Sequence, residues 1–118
     1  MRTSSMSPTA RTLRHLREHS IAAQVVERWC AYSKRRIDLF GCIDIVALDS
    51  QFPGVLGIQA TTVTNQTARM KKILETPEAK VWMSCGNRLE VWGWGQKKSG
   101  KRSVWTVTVR PVTGFDQG

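Results

Sequence analysis

The sequence predicts a single α/β domain that spans residues 1–118. Three observations support this fold class. Residues 41–48 are a nearly continuous apolar run rich in β-branched side chains, which is typical of a buried central strand. Helical spacing of apolar residues flanks that run, in residues 8–19 and 65–75. Near the C-terminus, residues 103–110 alternate in polarity, as the residues of an antiparallel strand do.

Local signals set the order of the elements. Ser7 followed by Pro8 predicts an N-cap with proline at the first helical position, and Pro77 is expected to end the second helix. The predicted order is helix 8–19, strand 22–29, basic loop 30–41, strand 41–48, turn 49–54, strand 55–62, helix 65–75, strand 80–85, turn 86–87, strand 88–95, basic turn 97–102 and strand 103–110. This is an α-β-β-β-α-β series around a mixed central sheet, with antiparallel strands appended. Residues 1–6 and 111–118 are predicted to be loose tails.

Composition favours a polyanionic partner. The chain carries 18 Lys and Arg against 9 Asp and Glu, a net charge of +9, and basic side chains gain affinity for nucleic acid by releasing phosphate counterions. No apolar run approaches the roughly 20 residues that span a bilayer, and the basic N-terminus lacks the apolar core of a secretory signal. We therefore expect a cytoplasmic protein with no membrane partner. Three cysteines without CxxC spacing, at positions 30, 42 and 85, are expected to be small buried thiols.

The candidate site begins with two polar residues inside apolar strands. Asp44 stands between Ile43 and Ile45, and Gln59 interrupts the next predicted strand. A buried carboxylate must be paired, hydrogen-bonded or bound to a metal. If the two strands pair as a hairpin, Asp44, Gln59 and the carbonyl of Ala60 form an all-oxygen site that suits Mg²⁺ or Mn²⁺. A buried polar pair that satisfies itself explains the same spacing.

These residues carry a family resemblance. A strand ending in an acidic residue, a turn, a strand with a (D/E/Q)-x-K pattern and then a helix resemble the core of the PD-(D/E)XK nuclease superfamily, which includes restriction endonucleases and Holliday-junction resolvases. The segments RRIDLFGCIDIVAL, GVLGIQATT and ARMKKIL are similar to small phage and prophage members, and the likeness covers roughly residues 7–85. The resemblance implies a restriction-endonuclease-like fold and Mg²⁺-dependent cleavage of duplex or branched DNA in phage or prophage DNA metabolism.

The resemblance assigns roles residue by residue. Asp44 matches the acidic metal ligand, Gln59 the second acidic position, and Ala60 the position whose backbone oxygen binds metal. Thr61 stands where the family has its catalytic lysine, and threonine supplies no positive charge. Ile43 replaces the usual proline, and the first helix has no early glutamate. Two explanations are open. In the first, a basic residue from elsewhere replaces the lysine, and the candidates are Lys71 and Lys72 of the second helix and the basic loop at 34–36. In the second, the site has decayed and the protein only binds DNA.

Other residues complete the set of expectations. Asp38 is either a second acidic ligand or a partner of Arg35 or Arg36, and the partner role is favoured. His15 and His19 share a helix face but lack a third ligand. Five tryptophans are many for this length, and the face of Glu90, Trp92 and Trp94 is a candidate interface for a protein partner or a homodimer. The candidate DNA contacts are Lys34, Arg35, Arg36, Arg69, Lys97, Lys98, Lys101 and Arg102.

Overall fold

A computed structural model describes residues 6–115 of the protein. The helices are α1 (Pro8–Glu18), α2 (Gln66–Leu74) and α3 (Pro77–Ser84), with a 3-10 helix at Val63–Asn65 before α2. The strands are β1 (Ala22–Val25), β2 (Arg28–Cys30), β3 (Arg35–Ile37), β4 (Ile45–Leu48), β5 (Leu56–Thr62), β6 (Arg88–Ser99) and β7 (Arg102–Pro111). The protein is therefore α/β, as the sequence predicts.

One mixed sheet organises the domain. Its five strands run in the order β1-β4-β5-β6-β7, and β2 and β3 form a separate two-stranded hairpin. The pairs β1·β4, β4·β5 and β6·β7 are antiparallel, whereas β5 and β6 are parallel and are connected through α2 and α3. The expected mixed sheet is confirmed, and β7 is an antiparallel addition to it. The strand β6, also expected to be an antiparallel addition, is instead parallel to β5.

Helices cover both faces of the sheet. Leu16 of α1 packs on Ile45, Ile58, Trp92 and Trp94. Met70 and Ile73 of α2 and Ala79 of α3 pack with Ile43, Leu89 and Val91. Because side chains alternate along a strand, neighbours such as Val91 and Trp92 belong to opposite layers. The predicted N-cap is present, since Ser7 Oγ accepts a hydrogen bond from Ala10 N at 3.1 Å.

Several predicted elements are wrong in type or extent. Residues 80–85 belong to a helix, because Pro77 occupies the first turn of α3 instead of only ending α2. The predicted strand 22–29 ends at Val25, and the basic loop 30–41 contains β3 and the end of the β2–β3 hairpin. The strand predicted for 41–48 is regular only from Ile45. The basic turn is confined to residues 100 and 101, since β6 and β7 reach Ser99 and Arg102.

The C-terminal segment is partly fixed. Val112 is buried, its N–H donates to Leu89 O at 2.9 Å, and Phe115 packs on the core. The prediction of a loose C-terminal tail is therefore wrong for residues 111–115. Residues 1–5 and 116–118 lie outside the described part of the chain. Of the cysteines, Cys42 is buried but Cys85 is exposed. No helix between residues 6 and 115 has the length and apolar character needed to span a bilayer.

Candidate active site

The site forms where β4 begins beside β5. The antiparallel register pairs Ile45 with Ile58, which places Asp44 opposite Gln59 on the same face of the sheet. Backbone bonds fix this start of β4. Asp44 N donates to Ile58 O at 2.8 Å, and Asp44 O accepts from Val26 N at 2.8 Å and Glu27 N at 3.3 Å. The predicted convergence of Asp44 and Gln59 is thus confirmed.

A network of hydrogen bonds surrounds the Asp44 carboxylate. Gln59 Nε2 donates to Asp44 Oδ2 at 2.8 Å and to Asp38 Oδ2 at 3.2 Å. Ala60 N also donates to Asp44 Oδ2, at 2.9 Å. The N–H and C=O of one strand residue point toward the same neighbour, so the Ala60 carbonyl lies along this edge as well. Both Asp44 and Gln59 are buried, so the hydrogen bond between them is shielded from bulk water.

Three carboxylates share the site. Glu27, Asp38 and Asp44 each bring one oxygen to within 4.8 Å of the others. Burial is the main cause that raises the pKa of Asp44 to about 7, with hydrogen bonding to and repulsion by Asp38 acting in the same direction. The bonds from Ala60 N and Gln59 act in the opposite direction. A cation would remove this repulsion between like charges.

The sequence-based account of the acidic residues needs two corrections. Asp38 accepts a hydrogen bond from Gln59, and neither Arg35 nor Arg36 makes an ion pair with it in the described part of the chain, so the favoured pairing with an arginine is not present. Glu27 is absent from the sequence-based site because the apolar pattern places it inside a continuous strand 22–29. The available signal is a carboxylate directly after the apolar residues Val25 and Val26.

The donor set fits a hard divalent cation. Carboxylates and amide or backbone oxygens are the ligands that Mg²⁺ prefers. Gln59 Oε1 is buried and has no hydrogen-bond partner among the described residues, and an unpartnered buried acceptor is costly. A half-turn of the amide exchanges Oε1 and Nε2, which brings Oε1 to the carboxylates. With a cation present, that orientation would make Oε1 a ligand in exchange for the two hydrogen bonds that Nε2 now donates.

A cavity of about 410 Å³ opens over the carboxylates. The acidic side is formed by Glu27, Asp38 and Asp44. The basic side is formed by Arg35 and Arg36 of the β3 strand and by Arg69 and Lys72 of α2. The remaining wall consists of Thr9, Ile37, Gly41 and Ala60. None of these four basic residues makes an ion pair within residues 6–115, so all remain available to an anion.

The structure separates the candidate lysines. Lys72 lines the cavity and Lys71, its neighbour on α2, does not; Lys71 is exposed on another side of the helix. Of these two candidates for the missing lysine, Lys72 therefore reaches the cavity and Lys71 does not. Arg69 lies three residues before Lys72, on the same helix face. Thr61 is buried on the Gln59 face of β5 and is absent from the cavity wall.

The other predicted contacts lie away from the cavity. Lys34 is exposed at the turn of the β2–β3 hairpin. The basic residues of the β6–β7 turn are exposed and lie well beyond the cavity along β6; they are Lys97, Lys98, Lys101 and Arg102. His15 and His19 stack on each other, with ring centroids 4.4 Å apart, and belong to no cluster of metal-ligating side chains in the described chain.

The expected tryptophan interface is wrong. Trp92 and Trp94 are buried beneath α1, where Trp94 Nε1 donates to Thr12 Oγ1 at 2.9 Å and Trp92 Nε1 donates to Glu90 Oε1 at 2.9 Å. The two indoles share a sheet face, as alternation requires, but that face holds the first helix and has no room for a partner.

Comparisons with known proteins do not identify a relative. No protein-family model, no curated protein and no solved structure matches the chain. The conclusions about function therefore depend on the geometry of the site.

Proposed function

We propose that the protein is a Mg²⁺- or Mn²⁺-dependent hydrolase of phosphodiester bonds in DNA, a resolvase-like endonuclease. The observation that carries this proposal is the cavity itself. Three carboxylates line its acidic side, two of them held by the buried Gln59 amide beneath, and four cationic side chains without ion-pair partners in residues 6–115 form its rim. Such a cavity accommodates a cation and a phosphate side by side.

The cation would be held by oxygen atoms. Asp44, Asp38 and Glu27 would supply carboxylates, with Gln59 Oε1 and the Ala60 carbonyl as neutral ligands. When bound, such a metal polarises the phosphodiester and lowers the pKa of a coordinated water. The remaining chemistry belongs to the chain. Arg35, Arg36 and Arg69 bind the phosphate oxygens, which positions the scissile bond above the carboxylates.

Lys72 is the residue we assign to the role of the missing lysine. It is the lysine that lines the cavity in the described chain, and it extends from the helix that follows β5. The flexible four-carbon stem of lysine allows its ammonium group to act from a helix instead of from the strand. There it would orient the attacking water and offset charge on the phosphate.

The topology is consistent with this proposal. The elements α1, β1, β4, β5, α2 and β6 occur in an α-β-β-β-α-β order, with the β2–β3 hairpin inserted between β1 and β4 and α3 inserted between α2 and β6. Asp44 precedes β4, and Gln59 lies on the adjoining β5. We propose further that the fold is restriction-endonuclease-like. We also propose that the protein acts in phage or prophage DNA metabolism within a host cytoplasm.

One observation favours a second function. Thr61, the residue at the family's lysine position, is buried and outside the cavity wall. If Lys72 does not replace that lysine, the cavity binds a phosphate without cleaving it. The protein is then a nuclease-fold DNA-binding module.

Cleavage assays with Mg²⁺ and Mn²⁺ on duplex, single-stranded and four-way-junction DNA test the proposal. We expect metal-dependent cleavage by the parent protein and none by Asp44→Asn. Glu75→Gln, an exposed carboxylate at the end of α2, is the matched control and should cleave like the parent. Calorimetric titration with Mg²⁺ alone gives a readout independent of activity. Metal binding that survives in both Asp44→Asn and Asp38→Asn would contradict this metal site.

A further inference from the structure

The β2–β3 hairpin exposes two aromatic rings. It consists of three residue pairs and has no strand pairing with the five-stranded sheet. Trp29 on β2 is 58% exposed and Tyr32 in the turn is 98% exposed. Large aromatic side chains ordinarily stabilise a fold by being buried, and a lone two-stranded hairpin is at best marginally stable. These rings therefore contribute little to the stability of the hairpin.

Other exposed aromatic residues have partners within the protein. The guanidinium of Arg11 lies 3.8 Å from the ring centre of Trp105, and that of Arg88 lies 4.8 Å from Phe52. The Phe40 ring lies 6.3 Å from that of Trp82. Within residues 6–115, no aromatic ring or cation stacks on Trp29 or Tyr32. Their π-faces are open to a ligand.

The charge of the hairpin indicates the class of ligand. Residues 28–37 contain four basic side chains and no acidic one: Arg28, Lys34, Arg35 and Arg36. Open aromatic faces among cationic groups are the combination by which proteins bind single-stranded nucleic acid, since bases stack on the rings and phosphates contact the cations. A base inside a duplex has both faces covered by its neighbours, so a duplex offers these rings no base except at its two ends.

The hairpin is also joined to the candidate active site at both of its ends. Glu27 precedes β2 and Asp38 follows β3, and both contribute to the carboxylate cluster. Arg35 and Arg36 line the cavity. The hairpin therefore lies directly beside the cavity.

We infer that the β2–β3 hairpin is a base-stacking arm, and that the substrate carries unpaired nucleotides next to the phosphate bound in the cavity. Single strands, flaps and forks with single-stranded arms have such nucleotides, whereas an uninterrupted duplex or a fully paired four-way junction does not. This inference rests on the proposed function, because it specifies which nucleic acids the cavity accepts.

Binding without metal tests the arm separately from catalysis. Fluorescence anisotropy in EDTA would compare a single strand of about 12 nucleotides, within the site sizes of single-strand-binding folds, with a blunt duplex of equal length. Each of Trp29→Ala and Tyr32→Ala should weaken single-strand binding by about 5- to 150-fold, the equivalent of one stacked base. Duplex affinity should change by less than about threefold.

Conservative and matched variants complete the test. Trp29→Phe and Tyr32→Phe keep a ring and should bind the single strand almost as the parent does. Phe52→Ala removes an exposed ring elsewhere and should have no effect. Equal losses of affinity for both DNA forms, or no loss of affinity for either, would overturn the inference. It would also be overturned if the alanine variants changed the oligomeric state in sedimentation while their DNA affinity stayed the same. A protein that binds single strands through these rings but never cleaves would refute the nuclease proposal alone.

Discussion

The side-chain amide of Gln66 lies against Gly93, and a Cβ atom at residue 93 would approach Gln66 Oε1 to 2.5 Å. Gln66 is the first residue of α2, and its Nε2 donates to Val91 O at 2.9 Å and to Thr108 O at 2.7 Å. The buried amide thus attaches the start of α2 to β6 and β7. Arg69 and Lys72 follow on that helix, so their positions in the cavity depend on this attachment.

We therefore expect Gly93→Ala to destabilise the protein by roughly 2–4 kcal/mol, through overpacking and the loss of buried hydrogen bonds. Urea unfolding measures the change. Gly95→Ala is the matched control on the same strand. Its added Cβ would lie 3.0 Å from Val63 Cγ2, an exposed side chain that can move, and we expect a change below about 1 kcal/mol. Similar losses in the two variants would show that Gln66 is not responsible.

The pairing of Asp44 with Gln59 was predictable because both signals are local. Each is a polar residue in an apolar strand, and residues 49–54 between the strands have the composition of a turn. Strand alternation then requires the two side chains to share a face, given the hairpin register. The third carboxylate was not predictable in this way. Glu27 enters the site because the chain leaves the sheet after Val25, a tertiary feature with no periodic signature.

The helix α3 escapes prediction for a different reason. The run KVWMSC, residues 80–85, is short and apolar, and periodicity alone does not separate a strand from a helix at that length. Pro77 marks the end of α2, but proline is equally suited to the first turn of a new helix. The pattern assigns Trp92 and Trp94 to one face correctly. The element that covers that face is α1, and the polarity pattern of a strand carries no information about where a distant helix packs.

The two neighbouring lysines of α2 provide a matched pair for the catalytic proposal. If Lys72 orients the attacking water, Lys72→Ala should lower the cleavage rate by about 10²- to 10⁴-fold, the range for a lost catalytic group. The DNA affinity of the Lys72→Ala variant should fall by no more than a few-fold. Lys71→Ala should cleave at the parent rate, because Lys71 is outside the cavity wall. Single-turnover rates with saturating enzyme separate the two effects.

A parent-like rate in Lys72→Ala would instead favour Arg35 or Arg36 for this role. Thr61→Lys is the complementary variant, since it restores a lysine to the strand position. If the parent protein is silent and Thr61→Lys cleaves, the site had lost activity at that one position. If the parent is active, the added lysine replaces a buried threonine and should lower stability without raising the rate.

The β6–β7 turn is expected to bind duplex DNA at a distance from the cavity. Ser99 lies eight residues beyond Val91, the β6 partner of Gln59, which corresponds to about 27 Å along the strand or about 8 base pairs. Replacing Lys98 or Lys101 by glutamine should reduce the slope of log affinity against log salt by about 0.9 for each phosphate that is no longer neutralised. Lys80→Gln, an exposed change on α3, is the control. An unchanged slope in both turn variants would exclude a role of this turn in DNA binding.

The buried thiol of Cys42 gives a pH dependence that can be measured independently of function. Burial is the main cause that raises its pKa from 9.0 to about 11, and the nearby carboxylate of Asp38 adds to the effect. The folded state keeps the proton that the unfolded chain releases near pH 9. The stabilisation is therefore complete below pH 9 and is lost as the pH rises through 11.

We accordingly expect the free energy of unfolding to fall over this pH window in the parent and to fall less in Cys42→Ala. That variant is less stable overall, because it leaves a small cavity. A thiol reagent at about pH 8, below the ordinary thiol pKa, should modify the accessible Cys30 and Cys85 before Cys42, which should react only after unfolding. Modification of Cys42 as fast as Cys85 in the folded protein would show that the core around it opens, and the pH dependence would then have to arise from another group.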